Sequence, residues 1–264
     1  MQTIQKRFYH PNNSALLLAG DITADEGFAL AEKYFTSWEV GPDPFKEFKV
    51  PKHPPIPENQ VVVVEKPVNA VTMMFRWHGP SVSKDPKATY TADVLSFILG
   101  QQTSKFHKDV VESGLSYGAN FSYYTLNYTG PITLFAQTSP ENFDACQKAL
   151  FDELKRMTDP NYFTDEQLEN AKTILAVNEQ YGRERASQFV HTVGFWWAVA
   201  GLDYYMDYID NLNKATREDI ANYLETYVID QPYLIGVLAA PEHTEKIGLI
   251  LNIKEGELED VEKN

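Results

Sequence analysis

The chain has 264 residues, 43% hydrophobic and 13% aromatic, enough to bury a full core in one large domain or in a domain with a fragment attached. Lys and Arg total 23 against 37 Asp and Glu, and the net charge of -14 argues against the grip on phosphates that nucleic-acid binding needs. The single cysteine, Cys146, excludes an internal disulfide framework and a multi-cysteine zinc site, and no apolar run approaches the roughly 20 residues of a membrane span.

The first residues, MQTIQKRFYHPNN, lack the apolar stretch of a signal peptide. Met1 stands directly before what reads as a helix end, so the chain is expected to be cut from a longer parent. Ala15-Leu16-Leu17-Leu18-Ala19 is a continuous apolar run of strand length, suited to a strand covered on both faces. Thr23 and Glu26 have the spacing of a capping box. The helix they open carries Phe28, Leu30, Ala31, Tyr34 and Phe35 at roughly helical period. Residues 1–39 thus read as a terminal βα fragment of a preceding repeat.

Residues 40–58 hold Pro42, Pro44, Pro51, Pro54, Pro55 and Pro57, which fit neither a helix interior nor a paired central strand. This stretch is expected to be a stiff, extended linker and the main boundary. Residues 59–250 then read as one complete α+β repeat. Its expected strands are 61–64, 71–77, 117–127, 132–137 and 233–239; its expected helices are 89–99, 104–113, one opened by Ser139-Pro140, a long region from Thr164 toward Ala200, and 216–227. Residues 251–264 are an acidic tail, read as a disordered end or a solvated helix.

One internal echo organises these elements. Helix end, Tyr9, a Pro-containing turn and ALLLAGDIT near the start match helix 216–227, Tyr227, a turn with Pro232 and YLIGVLAAP near the end. Self-similarity of this kind implies two structural repeats, with the tail of one and all of the next present here.

Three segments carry a family resemblance. FYHPNNSALLLAGDIT resembles the "Y-x-P-N-N-a-x-L-x-x-x-G-D" segment of the pitrilysin/insulinase zinc metallopeptidases, a family that includes the mitochondrial processing peptidase. ESGLSYGANFSY at 112–123 resembles its "R-G-L-A-Y" segment, and GLDYYMDYIDNLNKATREDIANYL at 201–224 resembles a stretch near the close of each repeat. The resemblance implies a LuxS/metallohydrolase-like two-layer α/β sandwich, with a mixed sheet and helices on one face. In that family paired repeats close like a clamshell around an extended peptide. One of them holds zinc on H-x-x-E-H, whose Glu activates the attacking water.

This chain has no H-x-x-E-H. His10, His53, His78, His107, His191 and His243 include no pair four residues apart, and TYTADVLSFIL, on the helix expected to bear the motif, has no histidine. A scattered metal set such as His107, Glu112 and His191 lacks ligand spacing, and these side chains read as solvated or hydrogen-bonded. The resemblance therefore implies the non-catalytic C-terminal repeat: no metal or catalytic residue here, with zinc carried by a catalytic peptidase repeat or subunit elsewhere. That partner and an extended peptide are the implied partners. The resemblance suits a bacterial protein and leaves the compartment open between cytoplasm and periplasm, with the periplasm preferred for the longer parent.

In related peptidases the non-catalytic half lends a Tyr and an Arg seven residues earlier to the substrate. Tyr117 matches the Tyr, and Val110 stands at the Arg position. Tyr117 would donate one hydrogen bond, and restoring Arg at 110 is expected to raise activity. Lys105, His107 and Lys108 lie nearby as possible electrostatic substitutes. The alternative is a structural or assembly subunit of the same fold with no role in proteolysis. Two other features, QYGRER at 180–185 and the aromatics Phe195, Trp196, Trp197, Tyr204, Tyr205 and Tyr208, read as solvated surface at a helix break and as an aromatic core under the sheet. A self-sufficient hydrolase finds no support: there is no G-x-S-x-G, and Cys146 falls on an expected core face.

Overall fold

The computed structural model describes residues 2–247. In chain order the helices are α1 (Gln2–Phe8), α2 (Ala24–Phe35), α3 (Pro44–Glu47), α4 (Pro86–Leu99), α5 (Phe143–Arg156), α6 (Asp165–Arg183), α7 (Ala186–Val199), α8 (Leu202–Met206), α9 (Tyr208–Asn213), α10 (Arg217–Tyr227) and α11 (Pro241–Lys246). The strands are β1 (Gln60–Glu65), β2 (Val71–His78), β3 (Gly118–Tyr123), β4 (Pro131–Thr138) and β5 (Leu234–Ala239), and a single π-helical turn runs over His107–Glu112.

The chain divides into two compact units: residues up to Pro54 with Val177–Met206, and Pro55–Ala176 with the described residues from Asp207 onward. The second unit holds one five-stranded sheet in the order β1-β5-β2-β4-β3. The β1–β5 pair is parallel and the other neighbours are antiparallel. Alternation sets its layers. Val71, Met73, Phe75 and Trp77 of β2 and Ile132, Leu134 and Ala136 of β4 are buried in one core with residues of α4, α5, α6 and α10. The intervening Thr72, Met74 and His78 are half-buried and Arg76 is exposed, so the helices cover one face. The result is the expected α+β sheet-and-helix arrangement.

The caps form as the spacing requires. Thr23 Oγ1 accepts from the Glu26 amide at 3.3 Å while Glu26 accepts from the Thr23 amide at 2.8 Å. Thr216 and Asp219 repeat the arrangement at α10. One expectation changes. The linker 40–58 contains α3, because Pro44 stands at the first helical position, where its missing N–H is not needed, and Asp43 caps it at 3.0 Å through the Phe45 amide. The long helical region after Thr164 breaks within the expected segment 180–185, into α6 and α7 at Arg185, whose backbone is extended.

The first unit shows a larger difference. Residues 15–19 form no strand, although Ser14, at their entrance, is extended. A strand needs a neighbour to take up its N–H and C=O groups, and the described residues of this unit contain none. Leu16 and Leu18 are 51% and 49% exposed and Phe28 is 74% exposed. No residue of α2 or α7 is buried, though α7 is largely apolar. Segment Val177–Met206 thus clusters with the N-terminal residues, whereas the sequence reading placed it inside the 59–250 repeat. The expected tail at 251–264 lies outside the described residues.

Urea unfolding of the isolated chain checks this contrast. Leu150→Ala, at a fully buried position, is expected to cost about 2–5 kcal/mol. Leu16→Ala and Phe28→Ala are expected to change stability by less than about 0.5 kcal/mol. A large loss at Leu16 or Phe28 would mean that their apolar surface is already covered within this chain.

Candidate functional site

Tyr117 is built from a turn rather than from the strand that follows it. Gly114, with φ at +81°, takes the left-handed conformation that ends the π-helical segment. Ser116 then ties the turn together: its hydroxyl lies 2.7 Å from the Gly118 carbonyl and 2.8 Å from the Gln137 carbonyl, and it accepts from the Gly118 amide at 3.1 Å. Thr138 donates to the Leu115 carbonyl at 2.6 Å, and Asn142 donates to that of Gly114 at 3.2 Å. The Tyr117 amide donates to Gln137 at 2.7 Å, which extends the β3–β4 ladder by one step. Its side chain is 64% exposed. The turn therefore holds an exposed phenol on a fixed backbone.

Val110 sits differently. Its carbonyl accepts from the Ser116 amide at 2.9 Å, but its side chain is fully buried in the core. An arginine at this position would point into apolar packing, so the expectation that Arg at 110 restores a donor is corrected. Nor do the neighbouring cations take its place as a group. Lys105 reaches the Asn161 carbonyl at 3.4 Å and lies 5.3 Å from the Tyr162 ring centre, and His107 faces Glu112 at 4.0 Å.

The charged group that fixes this region was not legible in the sequence. Arg156 of α5 binds Asp109 of the π-helical turn at 2.7 Å and also pairs with Glu153. Glu153 is 2% exposed and accepts from the Tyr162 hydroxyl at 2.5 Å. Burial pushes the Glu153 carboxyl up, against the opposing pull of the Tyr162 hydrogen bond and Arg156. Burial likewise raises the Tyr162 phenol. No sequence period links residues 109, 153, 156 and 162, so only the fold assembles them.

Beside Tyr117, β3 is an edge strand of the sheet. Residues 119–122 of β3, with Phe97 and Gln101 near the end of α4 and Ile174 of α6, line an open and mainly apolar groove of about 610 Å³. That volume is in the range of ligand-binding clefts. Tyr117, Tyr124 and Tyr128, all more than half exposed, flank the strand in sequence. An edge strand offers unpaired main-chain groups, and an apolar groove offers contact area for apolar side chains.

In the first unit, Trp196 stacks with Tyr204 and Tyr205 at 5.1 and 6.4 Å between ring centres, and Phe195 meets it edge-on at 5.2 Å. This cluster belongs to the helical unit and not to the layer under the sheet. Glu179 accepts from the Arg183 guanidinium at 2.8 Å and from the Tyr205 hydroxyl at 2.5 Å, so part of the QYGRER segment is paired inside its own unit. Burial, with Glu179 alongside, pushes the Tyr205 phenol up to about 12. Tyr208 belongs to the sheet unit and donates to Asp93 at 2.7 Å. Among the described residues no three His, Cys, Asp or Glu gather as metal ligands, and no helix is long and apolar enough to cross a membrane.

The family model described as the peptidase M16 inactive domain matches residues 1–175. No curated protein sequence matches the chain. Among solved structures, a protease from Helicobacter pylori is similar over 90% of this chain and 59% of its own, at 20% identity and a TM-score of 0.77. A peptidase M16 inactive domain from Pseudomonas fluorescens is similar over 84% of this chain and 52% of its own, at 20% identity and a TM-score of 0.66. A chain of complex III2 from Candida albicans is similar over 88% and 55%, at 15% identity and a TM-score of 0.66. These likenesses carry the fold, and this chain spans between half and three fifths of each.

Val110→Arg is expected to destabilise the chain by at least about 3 kcal/mol, because a guanidinium would replace a fully buried apolar side chain. Chemical denaturation measures this directly. Unchanged stability would mean that the side chain at 110 can swing out of the core.

Proposed function

Because the chain belongs to the family of peptidase M16 inactive domains, we propose that it is the non-catalytic half of a zinc metallopeptidase and forms one wall of a clamshell around an extended peptide. The zinc-binding H-x-x-E-H repeat lies outside this sequence, either upstream in a longer parent or on a partner chain. The observation that carries the reading is the unpaired apolar segment 15–19 with its helix α2. Leu16, Leu18 and Phe28 remain exposed there, as the last βα unit of another repeat would leave them when that repeat is absent. By itself the chain binds no catalytic zinc and cleaves nothing.

The peptide adds to the β3 edge, main chain to main chain, which makes recognition depend little on peptide sequence. The groove beside β3 receives apolar side chains, and Tyr117 donates one hydrogen bond to a substrate carbonyl. The buried Val110 favours a second reading, in which the chain is a scaffold of the same fold without substrate contact. The likeness to a chain of complex III2 fits that reading in shape alone.

Steady-state cleavage of an unstructured peptide by the assembled peptidase separates the two. Tyr117→Phe keeps the ring and removes one neutral hydrogen bond, a loss of about 0.5–1.5 kcal/mol. Turnover is expected to fall roughly threefold to tenfold with stability little changed. Equal rates for the variant and the wild type would remove Tyr117 from the mechanism and favour the scaffold.

A further inference from the structure

The two edges of the sheet are built differently. β1 is preceded by Pro51, Pro54, Pro55 and Pro57 and bounded by Glu58, Glu65 and Lys66, the prolines and charges that keep a foreign strand off an edge. β3, at the opposite edge, reads Gly118-Ala119-Asn120-Phe121-Ser122-Tyr123, with no proline and no charge. Its register shows what it offers. The Tyr124 amide donates to the Pro131 carbonyl at 3.2 Å, and bonded residues alternate along an antiparallel pair. Asn120 and Ser122 therefore bond to β4, while Ala119 and Phe121 turn their N–H and C=O groups outward.

The groove along this edge is defined by what it lacks. Phe121 is buried and Ala119 packs against the core, so their side of β3 faces the helices, and Phe97 and Ile174 form the helix wall of the groove. On that wall Ser96 donates to the Ala92 carbonyl at 2.8 Å and Gln101 to the Gln167 carbonyl at 2.8 Å, so these polar side chains are satisfied inside the protein. No charged side chain lines the groove, although 23% of the chain is charged. A strand added at this edge places every second side chain, about 6.8 Å apart, in the groove and the others on the opposite face. A charged side chain in the groove would lose water and meet no counter-ion among the residues that line it.

Resting on the strand-addition reading, we propose that the β3 groove is a charge sieve, selecting extended segments whose alternate residues are bulky, apolar and uncharged. Main-chain pairing supplies the grip and is indifferent to sequence, whereas the groove reads the pattern. Order matters more than composition. A segment with the same residues in another order brings a charge into the groove in either register, because a shift by one residue exchanges the two faces.

Two acetylated and amidated peptides of one composition test this on the full chain at about 0.15 M salt. TLEFELT has a register with both leucines and the phenylalanine on one face and both glutamates on the other. TLEEFLT carries a glutamate on each face. Their equal charge makes repulsion from the acidic chain cancel in the comparison. TLEFELT is expected to bind at least about tenfold more tightly and to protect the Ala119 and Phe121 amides from exchange. Ile174→Lys, at a position 42% exposed, supplies a counter-ion at the groove and should narrow that preference about threefold without unfolding the chain. Protection of β3 by both peptides at equal affinity would overturn the sieve and leave strand addition standing. No protection of β3 by either peptide at millimolar concentration would overturn the sieve together with the strand addition it rests on.

Discussion

A β-strand cannot satisfy its own hydrogen bonds, and that single constraint separates the two parts of this molecule. Val61–Val64 and Ala15–Ala19 look alike as short apolar runs. The first pairs with β5 from Val61↔Ile235 to Val64↔Leu238 and becomes a strand. The second is no strand, and its leucines stay exposed. The difference lies in what surrounds each run and not in the runs themselves. A unit of helices alone leaves α2 and α7 without a buried residue, while the sheet gathers a continuous core.

The proposed half-peptidase follows from this asymmetry. A chain with a complete sheet and a leftover βα unit fits a tandem arrangement in which each repeat finishes next to the start of the following one. In the proposed half-peptidase the N-terminal unit would be where another repeat attaches, and the β3 edge where a peptide would add. Both use the same physics of an unpaired strand seeking a partner, one built for permanent pairing and the other for a passing substrate.

Much of the fold was legible in local pattern. The five strands of the sheet lie close to where alternation and turn residues put them, and the capping boxes at Thr23 and Thr216 form as their spacing requires. Contexts that depend on distant residues were not legible. Pro44 reads as a breaker until Asp43 caps a turn around it. Val110 reads as a vacated arginine site until the core closes over it. The Asp109–Arg156–Glu153–Tyr162 network and the Asp93–Tyr208 pair join residues between 3 and 115 positions apart, and no local pattern announces them. Tyr117, which the sequence offers only through the family resemblance, is exposed in the structure on a backbone fixed by a glycine turn and a ladder bond.

The central claim is that residues 15–19 are a strand awaiting the sheet of another repeat. Backbone amide protection of these residues, measured in this chain alone and in an assembly that includes the catalytic repeat, tests it most directly. The account predicts exchange near the unprotected rate in the isolated chain and protection by several orders of magnitude in the assembly. Equal protection in both states would contradict it.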